Sequence, residues 1–569
     1  MAAAKPPLVI RGARLIDGTG RGPLDDATIL IEGNRIAGVT TDPAPLPEGA
    51  RIVDARGKTV LPGLIDNHVH YRSYCGELFL AHGVTSVRDL GNPLEWILAQ
   101  RDAVALGKVP GPRIFCTGGG FYGKATAEHH TVATDPEQAR GVARELIALG
   151  VDYLKIHLGV SLEITRAVAE EAHEAGLKVT GHLDSSIVPY AEAGIDGVEH
   201  ATGCAEETIR SEIGRKGLSE IKLWLAKFLG PWTLAERAHF PRLVDFLAKK
   251  GTFIEPTTVL WGAALGKRDR WEREDYDALK NPGLSYISEH ERLLWLDHYY
   301  TAYGPRIKDA PEGDVVMGNR YSIYGILPEE ELREGFRRLG EFLSLLVEAG
   351  GNVVTGTDAP AVMPGISLHR DMELLVEAGL SPMQAIVAAT RAGAAYLGQA
   401  DRLGTVEKGK LADLVIIDGD PLADITRTRR IQTVIKDGEI VDTSYHASFS
   451  NPFPRSHTRE FYGYPRPALH GISPKMVPAE DRDVELVLHG REFYPASVVC
   501  AGGRSVATRF ISQTELAATI PAHLVKAGTI FVSVKNPKPH ETPDRGGTSN
   551  DLPLIVRFPQ DPSRTVPPP

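Results

Sequence analysis

From about residue 60 to residue 400, short apolar segments alternate with amphipathic helical segments. Eight of the apolar segments have the length and residue types of buried strands. They are TVLPGLIDNHVH, GVTSVRDLG, PRIFCTGGG, VDYLKIHLG, KVTGHLD, GVEHATG, GTFIEPT and NVVTGTDAP. Helical segments between them, such as PEQARGVARELIALG, end in Gly, the residue that commonly follows a helix. Eight strand–helix repeats predict an α/β protein built on a (β/α)8 TIM-like barrel.

The barrel is predicted over residues 63–399, and the sequence on both of its flanks has β character. Residues 1–62 and 400–445 contain short strands separated by Gly, Asp and Asn turns. We expect these two flanks to form one small composite β-sandwich domain. Helix-rich stretches at about 205–250 and 258–345 are longer than a barrel connection requires, which predicts inserts that either cover the active site or decorate the surface.

The C-terminal part of the chain has a third kind of pattern. Residues 446–470 are rich in Pro and aromatic residues, which predicts a linker. Residues 471–557 contain short strands separated by turns, the pattern of an immunoglobulin-like β-sandwich. The segments ISPKMVP, LHGREFYPASVV and FVSVKNP resemble an IPT/TIG domain, for which either a structural role or the binding of a surface or polymer remains open. The Pro-rich tail, 558–569, is expected to be disordered.

Composition excludes several classes of partner. The net charge of −10 argues against nucleic acid, because phosphate binding needs a basic surface. No run of 18 apolar residues exists, so no membrane span is expected. The four cysteines form no CxxC pair, which fits a reducing compartment. We expect a cytoplasmic protein, or an exported one if a signal peptide precedes this sequence, with a small-molecule substrate; homo-oligomerisation is left open.

Two histidines stand two residues apart at the end of the first predicted barrel strand. His68 and His70 lie in the segment DNHVH, directly after apolar residues. Side chains alternate along a strand, so residues i and i+2 project to the same side. Two imidazoles on one side of a strand end form half of a metal site, although an exposed polar strand end would show the same spacing.

Four further ligand-type residues lie on other predicted strands. Lys155 lies between Leu154 and Ile156, where burial of an ammonium group is costly. It extends to an edge, or pairs with an acid, or has lost its charge and reacted with CO₂ to form an anionic carbamate. The last polar residues of strands five, six and eight are His182, His200 and Asp358. Catalytic residues of this fold lie at such strand ends, and this ligand set suits Zn²⁺ or a similar ion.

Several motifs in this order resemble the amidohydrolase superfamily. They are LPGLIDNHVH, GVDYLKI, VTGHLDSS, AGIDGVEHATG, TGTDAP and LGTVEKGKLADLVIIDGDPLADI. Within that superfamily, the chain is most similar to the imidazolonepropionase-related branch, which includes metal-dependent prolidases and other Xaa-amino-acid dipeptidases. The resemblance covers residues 8–445 apart from the inserts.

The resemblance implies a centre of two divalent metal ions, with zinc as the expected metal. The implied ligands are His68, His70 and Asp358 for one ion, His182 and His200 for the other, and carboxylated Lys155 for both. A hydroxide that bridges the ions would attack a carbonyl carbon of the substrate. Asp358 would also take the proton of that hydroxide and deliver it to the leaving group.

Substrate contacts are less defined by the sequence. Related enzymes have a GGHG-like segment whose His contacts the substrate carbonyl, but here the Gly run is followed at a longer spacing by His129 and His130. Either of them could take that role, or both could lie in a solvated loop. Tyr71, Arg72 and His369 are predicted to line the pocket, with Arg72 placed to hold a substrate carboxylate.

Together these features predict a binuclear metal-dependent hydrolase that cleaves the amide C–N bond of a dipeptide or an N-acyl amino acid. The same chemistry would also attack a lactone, a carbamate, a cyclic amide or an organophosphate. Two hypotheses of other classes remain: a dinuclear iron oxygenase on the same ligands, and a non-catalytic binding protein. The complete ligand set argues against the last.

Overall fold

The computed structural model describes residues 6–42, 45–123, 130–220, 226–262, 264–287, 328–453, 467–493, 497–536 and 547–558. The chain divides into two compact units. The first unit comprises Met1–Asn92 and Pro110–Phe449, and the second comprises Pro93–Val109 and Ser450–Pro569. None of the described helices has both the length and the apolar character needed to cross a membrane.

The first unit opens with a small sheet. Its first strands are β1 (Leu8–Leu15), β2 (Leu24–Glu32), β3 (Arg35–Thr40), β4 (Arg51–Asp54) and β5 (Lys58–Pro62). β1 pairs antiparallel with β2 and parallel with β4 and β5. Apolar residues of these strands are buried together, including Ile10, Ile29 and Val60. Burial of this shared apolar face accounts for the alternation seen in the sequence.

Ten short strands follow in the barrel region. They are β6 (Leu64–Val69), β7 (Val84–Asp89), β8 (Arg113–Cys116), β9 (Gly120–Phe121), β10 (His130–Thr131), β11 (Tyr153–Ile156), β12 (Lys178–Gly181), β13 (Gly197–Glu199), β14 (Phe253–Glu255) and β15 (Asn352–Val353). All pairings between them are parallel. They fall into a three-stranded sheet, β6-β7-β8, and a seven-stranded sheet, β10-β9-β11-β12-β13-β14-β15.

The first and eighth positions of the barrel are joined by individual backbone hydrogen bonds. Asn67 N donates to Thr355 O at 3.1 Å, and Thr357 N donates to His68 O at 3.2 Å. The arrangement is a TIM-barrel-type α/β fold. The sequence predicted one continuous ring of eight strands, whereas the strand pairings form two sheets. The break between β15 and β6 falls where strand eight is only two residues long before the chain turns into the site.

Helices connect these strands along the chain. The described α-helices are α1 (Cys75–Ala81), α2 (Leu94–Ala105), α3 (Pro136–Ala148), α4 (Leu162–Glu174), α5 (Ile187–Ala193), α6 (Cys204–Thr208), α7 (Glu212–Glu220), α8 (Ala226–Leu234), α9 (Phe240–Lys250), α10 (Arg268–Leu279), α11 (Glu329–Glu348), α12 (Ile366–Glu377), α13 (Pro382–Ala388) and α14 (Arg391–Tyr396). Short 3₁₀ turns span Arg237–His239, Thr258–Trp261, Pro282–Leu284, Ile425–Arg429 and Ala522–Leu524. Local sequence sets the helix starts: the Asp135 and Ser161 side chains accept hydrogen bonds from the first turns of α3 and α4.

The predicted inserts correspond to two helical regions. Helices α6 to α9 lie in or next to the stretch 205–250, while α10 and α11 belong to 258–345. Residues 288–327, the middle of the second insert, lie outside the described residues. The role of either insert as an active-site cover stays a prediction.

The last strands of the first unit return to the small sheet. They are β16 (Leu414–Asp418), β17 (Ile431–Lys436) and β18 (Glu439–Val441). β16 pairs antiparallel with β5, which gives the order β18-β17-β16-β5-β1-β2-β3, with β4 beside β1. The small sheet is therefore built from both flanks of the barrel.

The second unit contains helix α2 and two β-sheets. Its strands are β19 (Ala468–Ser473), β20 (Met476–Pro478), β21 (Val484–Arg491), β22 (Val498–Ala501), β23 (Arg504–Ser505), β24 (Ala507–Ser512), β25 (Glu515–Ile520), β26 (Gly528–Asn536), β27 (Gly547–Thr548) and β28 (Leu552–Arg557). One sheet has the order β19-β21-β25-β24, and the other β20-β28-β26-β22-β23, with β27 beside β26. The IPT/TIG identity of this β-rich region stays a prediction, and the tail from residue 559 lies outside the described residues.

Helix α2 packs within the second unit. The indole Nε1 of Trp96 donates to the Phe453 carbonyl oxygen at 2.9 Å, and Gln100 Nε2 donates to the same oxygen at 2.7 Å. All three residues are fully buried. Residues 450–453, which the sequence assigned to a linker, are thus fixed by specific hydrogen bonds.

Candidate metal centre

The end of β6 and the turn after β15 bring three ligand-type side chains together. His70 Nε2 lies 3.2 Å from Asp358 Oδ1, and His68 Nε2 lies 3.5 Å from the same oxygen. One ligand atom from each of the three residues fits within 4.8 Å of the others. Burial alone would raise the pKa of Asp358, but hydrogen bonding and charge from His70 outweigh it, so the pKa of this carboxyl is lowered.

His68 also belongs to a second group, with His182 and His200. Their ligand atoms again lie within 4.8 Å of one another, and all three residues are buried. The rings of His182 and His200 are stacked, with centroids 4.7 Å apart. Burial lowers the pKa of His200 to about 4 and lowers the pKa values of His68 and His182 well below the usual range. Neutral imidazoles, the form that binds metal, are therefore favoured.

Lys155 lies on β11 with only 1% of its surface exposed. Its Nζ has no hydrogen-bond partner among the described residues. Burial lowers the pKa of Lys155 to about 8, so roughly a fifth of its amine is neutral at physiological pH, far more than for an exposed lysine. A buried amine without a hydrogen-bond partner, beside neutral imidazoles and a carboxylate, fits a site for two divalent cations.

Beneath the ligands lies a charged pair that sequence reasoning missed. Arg88 Nη2 donates to both carboxylate oxygens of Glu199 at 3.1 Å, and both side chains are fully buried. Glu199 Oε2 is 3.6 Å from Nδ1 of His68. A signal was present, since each residue is a charged side chain inside an apolar strand segment, as Lys155 is.

Backbone strain is concentrated at this site. Of the seven non-glycine residues with positive φ in the described chain, four follow barrel strands: His200, Ala201, Thr257 and Asp358. A non-glycine residue in this conformation costs about 1–3 kcal/mol, and such strain is typical of functional sites.

A row of stacked rings extends from the proposed ligand His182. His157 lies edge-on to His182, with centroids 4.6 Å apart, and Tyr122 stacks on His157 at 4.3 Å. His130, partly buried on β10, stacks on the other face of Tyr122 at 3.6 Å. The row connects His130 to the ligand group, whereas His129 lies outside the described residues. Sequence reasoning missed Tyr122 and His157.

Of the predicted substrate contacts Tyr71, Arg72 and His369, Arg72 is the one that is partly exposed. Arg72 is partly buried, and its Nη1 donates to the carbonyl oxygens of His70 and Tyr71 at 3.3 and 3.2 Å. Nη1 also donates to Oδ1 of Asn92 at 3.4 Å, and none of the ion pairs among the described residues involves Arg72.

The structure does not support substrate contact by the other two residues. Tyr71 is 1% exposed and stacks on Phe79 of α1, so its ring contributes to packing. His369 is fully buried, with Nδ1 3.0 Å from Thr428 Oγ1 and Nε2 2.9 Å from the carbonyl oxygen of His82. Both of its ring nitrogens are used in packing α12 against its neighbours.

The fold and this cluster are those of a metal-dependent hydrolase. Residues 59–441 match the amidohydrolase family, and the chain belongs to that family. The chain is 26% identical over 464 residues to an imidazolonepropionase of Anaeromyxobacter sp. (strain K), which covers 78% of this chain and 97% of that protein.

Solved structures share the fold. A Xaa-Pro dipeptidase with methionine bound in its active site superposes with a TM-score of 0.53 at 23% identity, covering 77% of this chain and all of that one. A molinate hydrolase gives a TM-score of 0.53 at 22% identity, with 77% and 95% coverage. The family assignment confirms the predicted hydrolase class, while the substrate, the metal and the residue roles are matters of proposal.

Proposed function

We propose that this protein is a binuclear metal hydrolase that cleaves the amide bond of a dipeptide or an N-acyl amino acid. The observation that carries the proposal is the convergence of two ligand groups that share the buried His68. The fold shared with a Xaa-Pro dipeptidase adds support for the substrate class.

The ligand roles are those that the family resemblance implies, and the geometry of the cluster supports them. His68, His70 and Asp358 would hold one cation, and His182 and His200 the other. Lys155, whose neutral amine is favoured by burial, would react with CO₂ and supply carbamate oxygens to both. When bound, two Zn²⁺ ions would lower the pKa of water and polarise the scissile carbonyl.

Asp358 is the proposed proton carrier. Its carboxylate faces His70 and His68, and its lowered pKa keeps it ionised at neutral pH. It would accept a proton from the attacking water on a carboxylate oxygen and then deliver that proton to the leaving amine.

Arg72 and His130 are the proposed substrate contacts. The Arg72 guanidinium, two residues after His70 and without a carboxylate partner in the described chain, would bind the substrate's free carboxylate as a charge-assisted pair. His130, at the outer end of the ring row, would contact the substrate beside the scissile bond. This arrangement favours substrates that carry a carboxylate near the cleaved amide.

A second candidate is the opening of a cyclic amide. The similarity to an imidazolonepropionase extends over 97% of that protein's length, which is the observation that favours this alternative. The ligand set and the proton carrier would serve both substrates, because each reaction adds water to an amide carbonyl.

The test is product release by the zinc-loaded protein from matched substrates with free or amide-capped carboxylates, with cyclic amides in the same panel. We expect hydrolysis of the free-carboxylate compounds, a strong preference over their capped forms, and loss of that preference in Arg72→Met. Hydrolysis of cyclic amides alone would favour the second candidate. No release from any substrate by the metal-loaded protein would contradict both.

A further inference from the structure

β14 is the seventh barrel strand, and its end supplies none of the proposed ligands. It contacts one imidazole proposed for each of the two cations. Glu255 Oε2 lies 2.9 Å from Nδ1 of His68. Thr257 Oγ1 lies 2.8 Å from Nδ1 of His200. The two contacts are joined, because the Thr257 hydroxyl lies 2.8 and 2.9 Å from the oxygens of Glu255. Four side chains thus form one continuous hydrogen-bonded chain.

When Glu255 is ionised, the number of available hydrogens fixes the direction of this chain; burial and the neighbouring Glu199 and Asp371 raise the pKa of this carboxyl, whereas bound cations would favour its ionised form. The Thr257 hydroxyl has one hydrogen, and an ionised carboxylate only accepts. When Thr257 donates to Glu255, its oxygen must accept from Nδ1–H of His200. The other end follows the same rule, with Nδ1–H of His68 donating to Glu255. Both imidazoles then carry hydrogen on Nδ1 and present an Nε2 lone pair, which is the form that a metal ligand requires.

We propose that Glu255 and Thr257 are positioning residues that hold His68 and His200 in one tautomer and orientation, and so couple the two metal positions. The inference rests on the proposed binuclear function and concerns residues outside the ligand set. Glu255 acts on one metal group directly and on the other through the Thr257 hydroxyl.

The surrounding structure supports a positioning role for Glu255 rather than a role as a further metal ligand. Glu255 Oε1 also accepts from the backbone N–H of Thr257 at 2.6 Å, so hydrogen-bond donors approach both of its oxygens. An added Cβ at Gly356 would lie 2.7 Å from both Glu255 Cδ and His68 Cβ. Only glycine at position 356 leaves room for the two side chains to meet.

The backbone of Thr257 is strained, and the positioning role accounts for this strain. Thr257 has φ of 45°, a left-handed conformation that is unusual for a β-branched residue. Thr257 and Glu255 are both fully buried. Strain of this kind persists where the surrounding contacts determine the conformation, and here those contacts are the bonds to Glu255 and His200.

The test measures Zn²⁺ affinity of the metal-free full-length protein by competition with a chromogenic chelator, and the visible spectrum after Co²⁺ loading. The variants are Glu255→Gln and the isosteric Thr257→Val. The matched control is Thr258→Val, because Thr258 is an equally buried neighbour whose hydroxyl donates to Asp371 at 2.6 Å. Cooperative unfolding of each metal-free variant checks that it is folded.

We expect Glu255→Gln to weaken the binding of both metals, and Thr257→Val to weaken the binding of one, by about 10- to 100-fold. The Co²⁺ bands should be altered in both variants. Thr258→Val should match the wild type in both readouts. If the wild type binds two metals and both variants bind them as tightly with unchanged spectra, the positioning role is wrong and the proposed function stands. If the wild type binds no metal, the proposed function and this inference both fail. Should Glu255→Gln not fold, Thr257→Val decides alone.

Discussion

Arg88 and Glu199 form an ion pair in the interior of the barrel, where Arg88 Nη2 lies 3.1 Å from each carboxylate oxygen of Glu199. The guanidinium also stacks on Tyr396, 4.0 Å from the ring centroid, and its Nε donates to the carbonyl oxygen of Asn67 at 2.7 Å. The carboxylate in turn approaches His68. The pair therefore joins the proposed metal centre to the barrel core.

Removing one partner of this pair should be costly for stability. Arg88→Met leaves the Glu199 carboxylate buried without a counter-charge, and we expect a loss of about 3–5 kcal/mol in the free energy of unfolding. Urea unfolding of the metal-free protein measures it. The double variant Arg88→Met/Glu199→Gln should recover part of the loss, because no charge is left buried. Equal stability of the single variant and the wild type would contradict this account.

Lys155→Ala should abolish activity, because the carbamate oxygens are lost. Short carboxylic acids such as acetate should restore part of it by entering the space. The matched control is Lys178→Ala on the neighbouring strand, where the half-buried amine donates to the Ala395 carbonyl oxygen and faces no proposed ligand. Steady-state turnover at several acetate concentrations is the measurement, and full activity of Lys155→Ala without acetate would rule out the carbamate.

The rate at which the metal-free enzyme regains activity should rise with pH. Only neutral Lys155 reacts with CO₂, and burial lowers its pKa to about 8. Below that pH each unit reduces the neutral fraction about tenfold, so the rate of reactivation should rise steeply from pH 6 to 8 and level off above. Reactivation is followed with excess Zn²⁺ at constant dissolved CO₂. A rate that does not change between pH 6 and 8 would mean that another step limits assembly.

Asp358→Asn should lower kcat by about 100- to 10,000-fold, since the amide cannot accept the proton of the attacking water. Asp184→Asn is the control, because Asp184 is exposed after β12 and accepts from the Gly159 N–H. Turnover is compared at equal metal content, so that a lost ligand is separated from a lost proton carrier. Unchanged kcat at full metal content would exclude Asp358 from proton transfer.

In the second unit, the Phe453 carbonyl oxygen accepts from both Trp96 and Gln100. Trp96→Phe removes one donor but leaves the oxygen satisfied, so the lost hydrogen bond should cost about 0.5 kcal/mol, and the volume removed from a buried position adds a cavity cost. Trp96→Phe/Gln100→Leu also leaves the buried carbonyl unpaired and should cost about 1–3 kcal/mol more. Denaturant unfolding distinguishes the two, and equal losses would show that the carbonyl finds another donor.

The sequence predicted those residues of the candidate site whose place is determined by their position along a strand. The spacing of His68 and His70 and the placement of His182, His200 and Asp358 at strand ends were enough to predict that they converge. Lys155 stood out because a lysine in an apolar strand needs an explanation. These inferences depend only on the geometry of a parallel strand and on where this fold assembles its sites.

The sequence did not predict contacts between residues that are distant along the chain. Glu255 lies 187 positions from His68, and Glu199 lies 111 positions from Arg88. A lone glutamate in a strand carries no sign of its partner. His369 shows the opposite error, because a histidine near motif residues suggested a pocket, whereas its ring nitrogens are taken by Thr428 and His82. The eighth strand was predicted as a full strand, but only two of its residues pair regularly.

Helix α2 is encoded between barrel strands β7 and β8, yet it packs in the second unit. Its Trp96 and its partner Phe453 are 357 residues apart in the sequence. During synthesis from the N-terminus, this helix therefore emerges long before the residues that cover it. Its hydrogen bonds to Phe453 can form only after this long stretch of chain has been made, so we expect closure of the second unit to be a late step of folding, with the helix open to aggregation until then.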